Sequence, residues 1–357
     1  MNTDQITINE CPSKTWSWLK MNKNRVQIAS NFLEKQFELE NISQNVKISS
    51  QNQDFLITEP NQTKKDLDFS SILKSVVKNQ KIIEISGNIE NPIFINLFYS
   101  ENESSVCSQK IILNENANAK IIFVYNSDLK NQGQSLISTE ILCKKGSSAK
   151  IVKIQHLGTD FLQIDDTTFL CEENASASLI QIELGGNKIF SSVHANLLGY
   201  KSTFNSETAY LCQKNQEYDF NHVCYQFGKK TDCKMYVNGT LKDNAKKTYR
   251  GTIDFKNGCS GSTGDEQEQV LLLNPEVVNN SIPIILCDEE DVCGEHGASI
   301  GRLSDEILFY MESRGIEKNQ AENIMARAKL HAVASKIQDE KTEQLVEEFL
   351  NQIFGDN

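Results

Sequence analysis

The chain lacks several features that would assign it quickly. Its ten cysteines lie singly at 11, 107, 143, 171, 212, 224, 233, 259, 287 and 293. No Cys-x-x-Cys pair occurs among them, so structural zinc with its usual ligand spacing is unsupported. Most of these thiols read as small buried hydrophobes in a reducing compartment, with Cys287 and Cys293 set apart. Basic residues are in deficit, 36 Lys+Arg against 48 Asp+Glu for a net charge of -12, which repels phosphate backbones and argues against nucleic acid as a partner. No apolar run approaches the roughly 18 residues of a spanning helix, so no membrane insertion is expected. The opening Met1-Asn-Thr-Asp-Gln has no charged-then-apolar signal pattern, and the expected location is the cytoplasm. Nucleotide and hydrolase signatures also fail. In the stretch ending Gly228-Lys-Lys-Thr231, Val223 stands where a P-loop needs its first glycine and Lys230 replaces the hydroxyl residue. Gly258-Cys-Ser-Gly-Ser-Thr-Gly264 is only a turn-like run, and no Gly-x-Ser-x-Gly occurs.

What is present is enough apolar material for a core: 39% of 357 residues, with 24% charged. Three regions follow. Residues 1–80 form a helical or mixed region. There the Trp16–Lys20 phrase holds both tryptophans, and Val26, Ala29, Phe32, Leu33 and Phe37 predict a helix over 25–39. Residues 44–66 are polar and read as a loop or a loose strand pair.

From 81 to 286 short strands recur, among them Ile93–Leu97, Lys120–Val124, Lys150–Ile154 and Ser178–Ile182. Three of them are preceded by an alanine, at 119, 149 and 177, spaced by 30 and then 28 residues. Strands at such a period with almost no helix between them predict a β-solenoid, a β-sandwich being the competing arrangement.

Residues 287–357 begin with a junction motif and turn helical. Ser304 is the expected cap of a helix with Leu303, Ile307, Tyr310 and Met311 on one face, ended by Gly315. Asn319 with Glu322 marks a second start. Leu345, Val346, Phe349, Leu350 and Ile353 form a third apolar stripe. The expected arrangement is a small bundle closing the solenoid end.

The densest chemistry sits at the junction, Cys287-Asp-Glu-Glu-Asp-Val-Cys-Gly-Glu-His296. Thiolate, imidazole and carboxylate together suit iron, or an iron–sulfur cluster whose ligand set is completed by another chain. The alternative is an acidic turn with Cys287 pointing into the core. A carbohydrate-active solenoid would instead need two acids about 5–10 Å apart, drawn from Asp160, Asp165, Asp166, Asp254 and Asp265. His156, His194, His222 and His331 have no companion ligand spacing and read as ordinary residues.

The run Asp291-Val-Cys-Gly-Glu-His-Gly-Ala-Ser-Ile-Gly301, followed by Leu308-Phe-Tyr-Met-Glu-Ser-Arg-Gly-Ile316, resembles the C-terminal signature of the SufB/SufD family of iron–sulfur cluster assembly scaffolds. Leu271–Asn274, Ile282–Leu286 and the Trp16–Lys20 phrase fit the same family. The resemblance implies a right-handed parallel β-helix flanked by helical regions. It further implies a non-catalytic subunit that pairs with a SufB-type chain and docks a SufC-type ATPase on its C-terminal helices. Within the family, Gly297 after the signature histidine and Glu268 in place of an essential cysteine point to the D-type. His296, with Glu295 and Cys293, is then expected to hold iron or a transient cluster at the partner interface. Gly294 stands where D-type chains often have a cysteine. A B-type homodimer is the other family reading.

Overall fold

The computed structural model describes residues 3–15, 17–52 and 67–355. Trp16 and the 53–66 part of the expected polar loop lie outside the described residues. An antiparallel hairpin opens the chain, β1 (Thr3–Ile8) with β2 (Asn24–Ala29). Then come β3 (Leu33–Glu34), β4 (Glu38–Glu40), β5 (Val46–Asn52) and helix α1 (Leu67–Val76). The helix expected over 25–39 is therefore absent. Val26 and Ile28 alternate inward on a strand, and pairing with β1 buries both.

Sixteen further strands alternate between two parallel sheets. The first holds β6 (Asn79–Ile85), β8 (Glu103–Leu113), β10 (Gln132–Cys143), β12 (Asp160–Cys171), β14 (Lys188–Leu197), β16 (Glu217–Gln226), β18 (Lys246–Phe255) and β20 (Val278–Cys287). The second holds β7 (Ile93–Tyr99), β9 (Asn118–Ser127), β11 (Ser148–His156), β13 (Ser176–Glu183), β15 (Thr203–Cys212), β17 (Asp232–Leu241), β19 (Ser262–Leu272) and β21 (Val292–Gly301). Each consecutive pair makes one coil, so the chain is a parallel β-solenoid of about 8 turns. The expected alanine repeat is real: Ala119, Ala149 and Ala177 stack in register, all facing the lumen. The coil repeat runs on through Gly301, so the junction motif is itself the last strand.

One corner of six successive coils carries a left-handed residue: Asn116, Gly146, Asn174, Lys201, Lys230 and Gly261, with φ between 53° and 76°. Each donates its N–H to a carbonyl of the next coil, from Asn116 to Lys145 (3.0 Å) through Gly261 to Asp291 (2.7 Å). Asparagine and glycine tolerate that conformation, which explains four of the six corners. Gly228 and Lys230 belong to such a corner, and Gly228 is required there because an added Cβ would lie 2.2 Å from the Gly199 carbonyl oxygen, with no phosphate loop involved.

The outer faces of both sheets are covered along part of their length. Ile6, Ile8, Val26 and Ile28 of the hairpin pack with α1 residues Phe69 and Leu73 on Val106, Leu136 and Ile164 of the first sheet. Helices α3 (Lys318–Ala334) and α4 (Glu340–Phe354) lie on the second sheet, joining Leu330, Val346, Phe349 and Leu350 to Ile122, Val152, Ile154 and Ile182. His156 stacks on Phe349 at 4.2 Å, and burial pushes its pKa down to about 4. Lys120 and Lys150 donate to the carbonyls of Ile337 (3.0 Å) and Lys336 (2.6 Å) at the far end of α3. These helices cover a flank rather than close the solenoid end, because their apolar faces match the aliphatic outer columns of β7, β9, β11, β13 and β15. α2 (Asp305–Glu312) is capped by Ser304 as expected. α3 starts two residues earlier than expected, from a capping box of Glu317 and Gln320 rather than from Asn319.

Candidate functional site

The last coil, β20 and β21, has no strand on its outer side in either sheet among the described residues. A sheet edge left open across two sheets exposes two rows of unpaired backbone N–H and C=O groups. The register fixes what faces this opening. His296 continues the lumen column Ile121, Ile151, Leu179, Ser206, Met235 and Glu266, and with no coil above it the imidazole is exposed. Cys287 ends a lumen column of the other sheet, above Cys143, Cys171, Leu197, Gln226 and Phe255, and is exposed too. The turn between the two strands is acidic, Asp288-Glu-Glu-Asp291.

Side chains alternate along a strand, so Cys293 and Glu295 share the outer face while Gly294 and His296 share the lumen face. The structure thus separates the three expected metal residues: His296 borders the opening, and Cys293 and Glu295 do not share its face. A side chain at Gly294 would press on Phe255, whose ring carbon lies 2.9 Å from the added Cβ. Among the described residues, no three His, Cys, Asp or Glu side chains are grouped to enclose a metal ion. The thiol that borders the opening is Cys287, the first residue of the junction, which is not among the three expected ligands.

Below the opening the lumen is polar. Glu268 is buried, forms an ion pair with Lys247 and accepts from Ser281. It is a paired structural acid where the resemblance expects a B-type cysteine. Burial and the Glu268 charge push the pKa of Glu266 beside it up to about 8. These two acids are each 2% exposed, which leaves no substrate access to them. Deeper, Lys153 is bound to Asp165, Thr139 and Thr167. Asp165 and Asp166 face opposite sides of β12, Asp254 pairs with Lys256 (2.7 Å), and Asp265 accepts from Tyr236 (2.8 Å). The acids available to a glycosidase are therefore dispersed or already paired.

After β21 the chain enters α2, none of whose side chains is buried. Phe309 and Tyr310 are 73% and 60% exposed, and the Arg314 guanidinium lies 5.3 Å from the Tyr310 ring centre. The stripe of α4, by contrast, is consumed in packing on the solenoid.

The fold is a long parallel solenoid whose last coil carries a histidine and a thiol at the mouth of its lumen. Residues 97–329 match the family described as SUF system FeS cluster assembly, SufBD core domain, and the chain belongs to that family. It is similar to the iron–sulfur cluster assembly protein SufD of Bacillus subtilis, with 30% identity over 142 residues, 40% of this chain and 32% of that protein. It also matches SufB of the same organism, 22% identical over 182 residues, 51% of this chain and 39% of the relative. A SufBD family protein of Staphylococcus saprophyticus is 22% identical over 261 residues, 72% of this chain and 56% of the relative. The matched stretches therefore span between about a third and just over half of those relatives.

No described helix is long and apolar enough to cross a membrane.

Proposed function

We propose that this chain is a D-type scaffold subunit of an iron–sulfur assembly complex, joined at its open solenoid end to a B-type chain. The single observation that carries this reading is the opening itself: two free strand edges flank His296 and Cys287. A second two-sheet solenoid end would pair both edges at once and bring its own ligands to the same mouth. An incomplete ligand set suits a scaffold, whose cluster is cargo to be released. On this reading His296 holds iron or the nascent cluster, Cys287 is the thiol nearest to that role, and Cys293 and Glu295 act on the outer face of the joint. The exposed aromatic side of α2 would dock a SufC-type ATPase, and ATP hydrolysis there, not on this chain, would change the geometry of the joint. The expected location remains the cytoplasm.

The test is anaerobic co-production with a B-type chain and the ATPase, followed by native mass measurement. A stable complex of all three is expected, and Phe309→Ala/Tyr310→Ala should release the ATPase alone. A monomer or self-pair that ignores both partners would overturn the assignment.

A further inference from the structure

The other end of the solenoid is finished unevenly. In the first sheet β5 covers β6 completely, with seven residue pairs. In the second, β4 covers only Phe94, Ile95 and Asn96 of the seven-residue β7. The outer edge of Leu97–Tyr99 has no strand partner among the described residues. Where β4 stops, a cavity of about 430 Å³ opens between β7, β9 and the start of α4. Phe98, Val124 and Leu345 give it an apolar floor, and Phe98 is 56% exposed. Its rim is acidic on balance. Glu40 is neutralised by Lys341 at 3.4 Å, whereas Glu348 forms no ion pair with a described residue.

A free edge, a cavity beside it roomy enough for more than one side chain and an unpaired carboxylate one helical step away point to an extended peptide as the occupant. We propose that this edge receives an extended segment of another protein, laid antiparallel to β7 along the line begun by β4. An apolar side chain enters the cavity and a Lys or Arg meets Glu348. A free small molecule would use the cavity but leave the edge unused. This surface lies at the opposite end from the proposed joint and is independent of it.

The probe is a fluorescein-labelled peptide, Thr-Lys-Val-Leu-Val-Lys-Thr, titrated into the full chain and read by anisotropy and by hydrogen exchange. Binding should protect the amide of Phe98, the exposed residue of this edge, whereas Leu97 and Tyr99 are already buried. Two N-methylated versions, modified on alternate backbone nitrogens in opposite phase, keep every side chain. One phase should lose at least about tenfold in affinity and the other little, because a strand bonds its neighbour through every second residue. Glu348→Lys, an exposed change, should weaken binding severalfold at low salt and much less at high salt. Leu345→Arg should block the cavity, with circular dichroism confirming that α4 remains folded. No binding, equal loss for both N-methyl phases, or protection elsewhere than β7 would overturn the proposal.

Discussion

Lys153 Nζ sits 2.7 and 2.8 Å from the two carboxylate oxygens of Asp165, both side chains sealed inside the lumen. With Thr167 and Thr139 at 2.6 and 3.3 Å, four acceptors surround its three hydrogens, so the ammonium is fully coordinated. Removing one ion leaves the other buried without compensation, which costs about 3–5 kcal/mol, whereas removing both can be nearly neutral. Lys153→Met should lower the urea midpoint sharply, and Lys153→Met/Asp165→Leu should recover most of the loss. A single variant as stable as the parent would show that water reaches the pair.

Gly239 lies directly against the Tyr210 ring of the preceding coil, where an added Cβ would overlap the ring carbons. Gly239→Ala should destabilise by about 1–3 kcal/mol through overpacking. Gly239→Ala/Tyr210→Leu should regain part of it, because the smaller side chain vacates that space. Thermal melts of the two variants decide the point, and a second change that adds to the first would contradict it.

Glu183 is fully buried and accepts from Gln181 at 2.6 Å; burial pushes its pKa up to about 8. The folded chain therefore holds a proton that the unfolded chain releases near the ordinary glutamate value. Its contribution is complete below that value and is lost as pH rises towards 8, at up to about 1.4 kcal/mol per pH unit. His222 acts in the opposite sense, since burial lowers its pKa to about 3 and its contribution fades as pH falls below the usual histidine range. Between pH 7 and 8 the histidine no longer contributes to the slope, and Glu266, also raised to about 8, adds its slope to that of Glu183. Glu183→Gln should therefore remove about half of the pH dependence in that window, as measured by urea denaturation at several pH values.

The two exposed thiols should behave differently. In the reconstituted complex Cys287→Ser and His296→Ala should each lower iron retention severalfold, while Cys293→Ser should leave it near the parent level. Iron content and visible absorbance after anaerobic reconstitution provide the readout. Loss on changing Cys293 with none on changing Cys287 would place the cluster on the outer face of β21.

Much of the architecture was legible because the alanines at 119, 149 and 177 mark the same position in successive coils. The Asn or Gly corner at 116, 146 and 174 just ahead of each was an equally periodic signal that the alanine count passed over. The region around Val26 misled because its spacing fits both a helix and an alternating strand, and only the partner strand β1 decides between them. The polar lumen was not legible. A lysine such as Lys153 reads as a surface residue, and its partners Asp165 and Thr139 become neighbours only once the coil register is known. At the site, the motif located His296. Which neighbours share its face depends on strand alternation, and the sequence gap to Cys287 conceals that this thiol borders the same opening.

The polar filling of the lumen has a thermodynamic consequence. Exposing apolar surface raises the heat capacity of unfolding and exposing polar surface lowers it. With Gln109, Thr139, Lys153, Asp165, Gln181, His222 and Glu268 all buried inside the coils, part of what unfolding exposes carries the negative sign. The stability of this solenoid should consequently vary less steeply with temperature than that of an equally long one filled with hydrocarbon. Its maximum should be broad, and its weakening in the cold delayed.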